Sequence, residues 1–415
     1  MLGFAYTVAI TALLPFLPLR LWWRGRSEPL YRQSIGERYA CYSMHADKPV
    51  IWVHAVSLGE TRAAQPLMRA LQQRFPQFRI LTTHMTATGR AAAIEMYPDA
   101  LHAWLTYDQP WLARRFLAHF RPRLGIVLET EVWPNMIAAC THARIPILLV
   151  NARLSERSAR GYARVHSLAS KAYGGFDAIA AQTEQDAMRI AGLGGRAPTV
   201  TGNIKFDVQA PEDALSTAAT LRGTFGKRRV FLAASTREGE EALLLDALDR
   251  HRLTDALIVI VPRHPQRFDA VAALIRSRGH VLTRRSDGGP IPAECRFYLG
   301  DSMGELAAFY RACDVAFVGG SLVPTGGQNL IEACDAGIPV LIGPSHFNFA
   351  QATDHAVAAG AARCVESADD LVLQVERLLA DEDARMQMGE RAGAFCAAHR
   401  GATARTLAIC EQYLV

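Results

Sequence analysis

The chain has 415 residues, half of them hydrophobic and a fifth charged, a length that allows two or three domains with a core each. Its net charge of +5 suits an anionic substrate or membrane surface, and the lack of a long basic run with interleaved aromatics argues against nucleic acid. Eight scattered cysteines, without a CxxC pair or finger-like Cys/His spacing, exclude a disulfide framework and a zinc site and fit a reducing cytosolic setting.

The first element is apolar. "MLGFAYTVAITALLPFLPL" carries no charged side chain over 19 residues, and Arg20, Trp22, Trp23, Arg24 and Arg26 follow it. That length just suffices to cross a bilayer, and the Trp–Arg flank suits the headgroup zone. There is no basic leader or clear small-residue cleavage site, so residues 1–26 read as an uncleaved membrane anchor. Pro15 and Pro18 spoil a straight helix and leave shallow monotopic insertion open. Positive charge on its C-terminal side places the bulk of the chain in the cytoplasm.

Beyond the anchor, short Val/Ile/Leu runs alternate with helix-like stretches. Strands are expected at 50–57, 79–84, 124–130, 146–153, 178–183 and 199–203, and again at 229–236, 257–264, 280–285, 296–300, 315–320 and 339–344. Near-continuous apolar runs mark strands buried on both faces, and the spacing leaves room for crossover helices. Both halves therefore read as doubly wound α/β domains, at 27–205 and 229–385. Polar residues 206–228 between them read as a linker, and 386–415 as a C-terminal helical segment.

Ligands of open α/β sheets bind where strands end, so the loops carry the chemistry. In "HAVSLGE", Glu60 opens a helix, which by itself lowers its basicity and leaves a plain first-turn charge as the favoured reading of that stretch. "ETEVWPN" ends a strand with Glu129 and Glu131; two residues apart on extended backbone they would point the same way, for acid–base work or for holding Arg or water. Ser235 closes the strand 229–236, and "PRHPQRF" offers Arg263, His264 and Arg267 to a phosphate or carboxylate; "GNIKF" offers Lys205 similarly. "GGSLVPTGGQNLIEA" brackets a loop with two Gly pairs. Its free N–H groups at a helix start suit a phosphate, and Glu332 suits a ribose, although Gly-rich turns are common without a ligand. No GxSxG, HExxH or P-loop motif is present, and nothing demands a metal or another cofactor.

Taken in order, "WVHAVSLGE", "TTHMTATG", "ETEVWPN", "VNARLSERS", "AQTEQDAMRIAGLG", "TGNIKFD", "ASTREGEE", "VPRHPQRF", "DSMGELAAFYRACDVAFVGGSLV" and "GGQNLIEA" resemble the 3-deoxy-D-manno-octulosonic acid (Kdo) transferases of lipopolysaccharide synthesis over nearly the whole chain. The resemblance implies an α/β GT-B architecture, two Rossmann-like domains with an N-terminal hydrophobic anchor. It also implies inverting, metal-free transfer of Kdo from CMP-Kdo to the lipid A precursor lipid IVA at the anionic inner membrane, on its cytoplasmic face. By the same resemblance Glu60 is the catalytic base, and the catalytic pair Glu129 and Glu131 supplies one residue, Glu129 ahead of Glu131, that supports the acceptor or transition state. Arg263, Met303, Gly304, Leu306, Gly320, Ser321, Gly327, Gln328, Asn329 and Glu332 line the donor site, with Lys205 and Ser235 beside them. Family members usually read Gly-Gly-His-Asn where this chain has Gly326-Gly327-Gln328-Asn329, and Gln cannot become cationic. The alternatives weighed against this reading are a GT-B transferase with another nucleotide-sugar donor, and a catalytically silent membrane scaffold.

Overall fold

The computed structural model describes residues 2–251, 253 and 256–414. They divide into two compact units, residues 1–208 with 399–415 and residues 209–398. The first unit is built on β1 (Val50–His54), β2 (Arg79–His84), β3 (Leu101–Trp104), β4 (Pro122–Leu128), β5 (Ile147–Ala152), β6 (Ala178–Ala181) and β7 (Thr199–Val200), in the order β3-β2-β1-β4-β5-β6-β7. The second is built on β8 (Arg229–Thr236), β9 (Ala256–Pro262), β10 (Leu282–Arg284), β11 (Phe297–Leu299), β12 (Val315–Val318), β13 (Val340–Ile342) and β14 (Ala362–Cys364), ordered β10-β11-β9-β8-β12-β13-β14. All pairings are parallel. The strands next to each switch point are buried along nearly their whole length, because crossover helices cover both faces of each sheet.

Each sheet reverses its winding once, between β1 and β4 in the first unit and between β8 and β12 in the second. The loops that leave these four strands splay apart at the reversal, which makes the strand ends there the natural ligand positions. They are the segments 55–60, 129–135, 237–240 and 319–329.

Two differences from the sequence reading have simple causes. The strands β3 and β14 fall outside the expected set; both are short edge strands, and "LHAW" and "ARC" lack the apolar run of a central strand. Residues 206–228, expected as a polar linker, contain a packed helix, Ala214–Phe225, that buries Leu221 and Phe225 in the second unit. The C-terminal residues form helices Glu382–His399 and Ala402–Glu411, and the latter starts on Asp207, whose carboxylate accepts from the N–H groups of Gly401 (2.7 Å) and Thr403 (2.6 Å).

The N-terminal segment is helical from Leu2 to Arg24, with a 3₁₀ turn at Leu14–Phe16 where Pro15 falls. It is long and apolar enough to cross a membrane. One side is fastened to the first unit. Tyr6 donates to Asp108 (2.9 Å), Thr7 donates to Asn135 (3.1 Å), and Gln109 donates to the Thr7 carbonyl (3.0 Å) and the Thr11 hydroxyl (2.7 Å). Leu14 and Leu21 are buried in clusters with Leu112 and Trp104 respectively. The other side exposes Phe4, Phe16, Leu19 and Trp23, each about two-thirds or more accessible.

Candidate active site

In the first unit, β1 runs into Ser57, which caps the helix Leu58–Ala63 by accepting the Glu60 N–H. The Glu60 side chain folds back in return: Oε2 accepts from the Val56 N–H at 2.6 Å and Oε1 from the Ser57 hydroxyl at 3.3 Å. This reciprocal cap fixes the carboxyl group at the end of the strand. The cap bonds lower the pKa of Glu60, but burial, followed by the charges of Glu129 and Glu131, outweighs them and raises it to about 7. The helix start is thus not what sets the pKa of this group; burial and the two neighbouring acids are.

Glu129 and Glu131 reach Glu60 by a different route from the one expected. The strand β4 stops at Leu128, and Glu129 takes a left-handed conformation (φ 56°), so the pair is not carried on extended backbone. Glu129 is almost fully buried and held by Lys205 Nζ at 2.6 Å and Arg153 Nε at 3.1 Å. Lys205 arrives there because Asn151 accepts from the Ile204 N–H (3.1 Å) and Asn203 from the Lys205 N–H (3.0 Å), which shapes the turn Ile204–Asp207. Lys205, expected among the donor contacts, thus lies in the first unit on Glu129. Glu131 is half buried; desolvation raises its pKa, opposed by the Trp133 indole. Below the loop, buried His54 donates or accepts through Nδ1 at Thr83, and burial lowers its pKa to about 3, so the ring is neutral.

In the second unit, Ser235 near the end of β8 has φ 55°, where the pairing register with β9 shifts, and the strand then leads into Arg237 and Glu240. Glu240 is fully buried. Its Oε2 accepts from the N–H groups of Gly320 (2.6 Å) and Arg237 (3.1 Å), and its Oε1 from those of Ser321 (3.0 Å) and Leu322 (2.9 Å). The loop after β12 depends on both its first glycines. A Cβ on Gly319 would stand 2.8 Å from Glu240 Oε2, and Gly320 has φ 69°. The amides further along are also used: Gly326 N–H by the Ser345 hydroxyl, Gly327 N–H by the Gly320 carbonyl, and Gln328 N–H by the Gly319 carbonyl. The expectation that this loop offers free N–H groups to a phosphate is therefore corrected for these residues; the chain's own acceptors occupy them.

Cationic side chains surround the same loop. Arg263 Nε donates to the Gln328 side-chain Oε1 at 3.2 Å, and Arg237 donates to His264 Nε2, which leaves His264 neutral. His264 is further held below its ordinary pKa by burial and by Arg237, Arg263 and Arg267. Arg267 itself turns away to pair with Glu241 (2.9 Å). Asn329 bridges the start of the next helix, Ile331–Asp335: its Oδ1 accepts the Ile331 N–H (3.1 Å) and its Nδ2 donates to Glu332 (3.2 Å). Met303 and Gly304 are exposed before the helix Leu306–Ala312, and Glu305 is gripped by both arms of Arg285 and by Ser302. Sequence reasoning assigns no role to Arg153, Arg237 or Glu240. The signal available is the three acids in "REGEE", directly after a strand at the switch point.

Comparisons with known proteins show the family of the chain. Residues 33–208 match the family described as 3-Deoxy-D-manno-octulosonic-acid transferase (kdotransferase), and residues 280–394 match Glycosyl transferases group 1. The chain is 44% identical to a 3-deoxy-D-manno-octulosonic acid transferase of Bordetella pertussis, over 99% of each chain. It is 36% identical to that of Haemophilus influenzae, over 99% of this chain and 98% of the other. Among solved structures, UDP-GlcNAc 2-epimerase from Neisseria meningitidis, bound to UDP-GlcNAc, superposes with a TM-score of 0.59 at 15% identity, over 88% of this chain and 99% of that one, a likeness of fold alone. Two parallel seven-stranded Rossmann-like units, preceded by an apolar helix and matched over the full length at these identities, make this chain a GT-B glycosyltransferase of the 3-deoxy-D-manno-octulosonic acid (Kdo) transferase family.

Proposed function

We propose that this Kdo transferase takes Kdo from CMP-Kdo and delivers it to lipid IVA, the acylated, bisphosphorylated glucosamine disaccharide that precedes lipid A. The observation that carries the reading is the state of Glu60, a strand-end carboxylate raised to about 7 by burial and by Glu129 and Glu131. In the reaction Glu60 takes the proton of the acceptor hydroxyl as that oxygen bonds to the anomeric carbon of Kdo. The bond from that carbon to the phosphate oxygen of CMP breaks, and its electron pair leaves with CMP. Attack from the face opposite the leaving group inverts the anomeric carbon. Glu129 and Glu131 keep Glu60 basic, and Lys205 and Arg153 keep Glu129 in place. On the donor, Arg263 and the Gln328 amide meet the phosphate or the Kdo carboxylate. Gly320, Ser321, Gly327 and Asn329 shape the loop beneath, and Glu332 takes the ribose hydroxyls. Met303, Gly304 and Leu306 lie toward the cytosine, with Ser235 at the foot of the donor loop.

The acceptor is a lipid, and the N-terminal helix supports work at a membrane. A helix fastened to its own unit from Tyr6 to Leu21, with Phe4, Phe16, Leu19 and Trp23 exposed and Arg20, Arg24 and Arg26 at its end, suits the plane of an anionic interface on the cytoplasmic face of the inner membrane. Incubation of the purified protein with CMP-Kdo and lipid IVA in vesicles, followed by mass spectrometry of the lipid, tests donor, acceptor and product together. A Kdo-bearing lipid and free CMP are expected; an unchanged lipid, or turnover with a UDP-sugar instead, overturns the reading.

A further inference from the structure

We propose that Glu240 is the positioning residue of the donor site, a buried carboxylate that holds the loop after β12 and the Arg237 turn as one piece. The proposal rests on the donor reading above for its functional part, and on geometry for the rest. A fully buried carboxylate is costly unless its lone pairs are met, and Glu240 meets them with four backbone N–H groups, two on each oxygen. Three of these donors are consecutive residues, Gly320 to Leu322, which makes a concave nest of amides of the kind that binds anions. Here the anion is built into the chain.

For the donor this has a direct cost. The nest is filled, so the loop backbone at 320–322 has no N–H left for the donor's phosphate, and the positive charge must come from side chains. Arg237 and Arg263 stand beside the loop. Arg237 shares the Glu240 clamp through its own N–H, and its Cγ lies 3.2 Å from where a Cβ on Gly320 would be. Arg263 is aligned by its N–H on the Thr236 carbonyl (3.0 Å) and by its side chain on Gln328. Glu240 therefore fixes the distance between the loop and one of its two cations, and Arg237 joins Arg263 as a contact for the donor's anionic groups. Gln cannot replace Glu240 without cost, because its NH₂ would face two N–H donors.

The test uses the full-length protein with two readouts, CMP affinity by calorimetry and amide exchange at Gly320–Leu322. Glu240→Ala should weaken CMP by about tenfold or more and speed exchange at these amides. Added formate, a small carboxylate that fits the emptied nest, should restore part of both and leave wild type unchanged. Turnover should show the donor KM rising more than kcat falls. Arg237→Ala should weaken CMP without speeding exchange. If Glu240→Ala does not fold, Glu240→Gln carries the same two readouts. A folded variant with wild-type CMP affinity and exchange overturns the proposal, as does a weakened variant that formate does not rescue. Failure of wild type to bind CMP would instead strike the donor reading, and the exchange arm would still decide whether Glu240 holds the loop.

Discussion

In the first unit the loops after β1 and β4 gather three carboxylates, of which Glu60 is left partly exposed and raised to about 7. In the second unit the loops after β8 and β12 also converge on a carboxylate, Glu240, yet this one is sealed by four amides, in a loop whose neighbours include Arg237 and Arg263. The topology at the two places is the same, a parallel sheet that reverses its winding beside its first strand in chain order. What differs is how many donors each acid meets. Glu60 has two cap bonds against burial and two neighbouring acids and is raised to about 7; Glu240 is raised by burial as well, but four N–H partners oppose that rise. A switch point thus supplies a position, and the hydrogen-bond complement of the residue placed there sets how firmly its carboxylate is held.

The sharpest way to break this contrast is Glu60→Gln. It should lower kcat by about 10³-fold while CMP affinity stays at the wild-type value, because general-base catalysis is lost and the second unit is untouched. Steady-state kinetics beside calorimetry checks it; a fall in CMP affinity of similar size would erase the distinction between the two acids. Next in size is deletion of residues 2–24. Removing the buried Leu14 and Leu21 should cost the first unit at least about 3 kcal/mol in urea unfolding and spare the second unit. Equal loss in both units, or none, would show that the helix is not part of the first.

The pH dependence sharpens the contrast further. The rate should rise with pH through about 7 as Glu60 loses its proton. Glu129→Gln removes one of the charges that raise Glu60 and should move this limb down by about 1 pH unit, whereas Lys205→Met strips Glu129 of its cation and should move it up. Stability runs with the opposite sign to activity. Glu60 has an ordinary value of 4.5 when unfolded and about 7 when folded, so the folded chain holds the extra proton between these pH values. The contribution of Glu60 is thus fully present below 4.5, is lost once pH has risen through about 7, and disappears in Glu60→Gln. An acidic limb that ignores Glu129 would remove the coupling. The smallest effect is expected for Gln328→His. Arg263 already donates to Gln328, so a cation stands at that position and the rate should change by less than about tenfold, roughly 1.4 kcal/mol of barrier.

Periodicity and loop punctuation make most of the architecture legible in the sequence. Apolar runs such as "VIWVH" and "LIVIVP" announce central strands, since a strand covered on both faces must be apolar throughout. The edge strands β3 and β14 escape because they bury less and so need no such run. The helix Ala214–Phe225 escapes because its polar surface resembles a linker, and only its partners reveal the buried stripe. At the site, residue types and motif order name Glu60, Glu129, Glu131 and Arg263 as candidates. They do not reveal Arg153 or Glu240, nor that Lys205 belongs with Glu129, because such pairings join segments far apart in the chain.

By itself, then, the sequence determined two doubly wound units, an apolar N-terminal helix and the loops that carry the chemistry, since each is written in local pattern. Only the tertiary structure decided the surroundings that raise the pKa of Glu60. Its own helix start argues for a weak base, and the balance reverses because folding removes water from the carboxyl group and sets two like charges beside it.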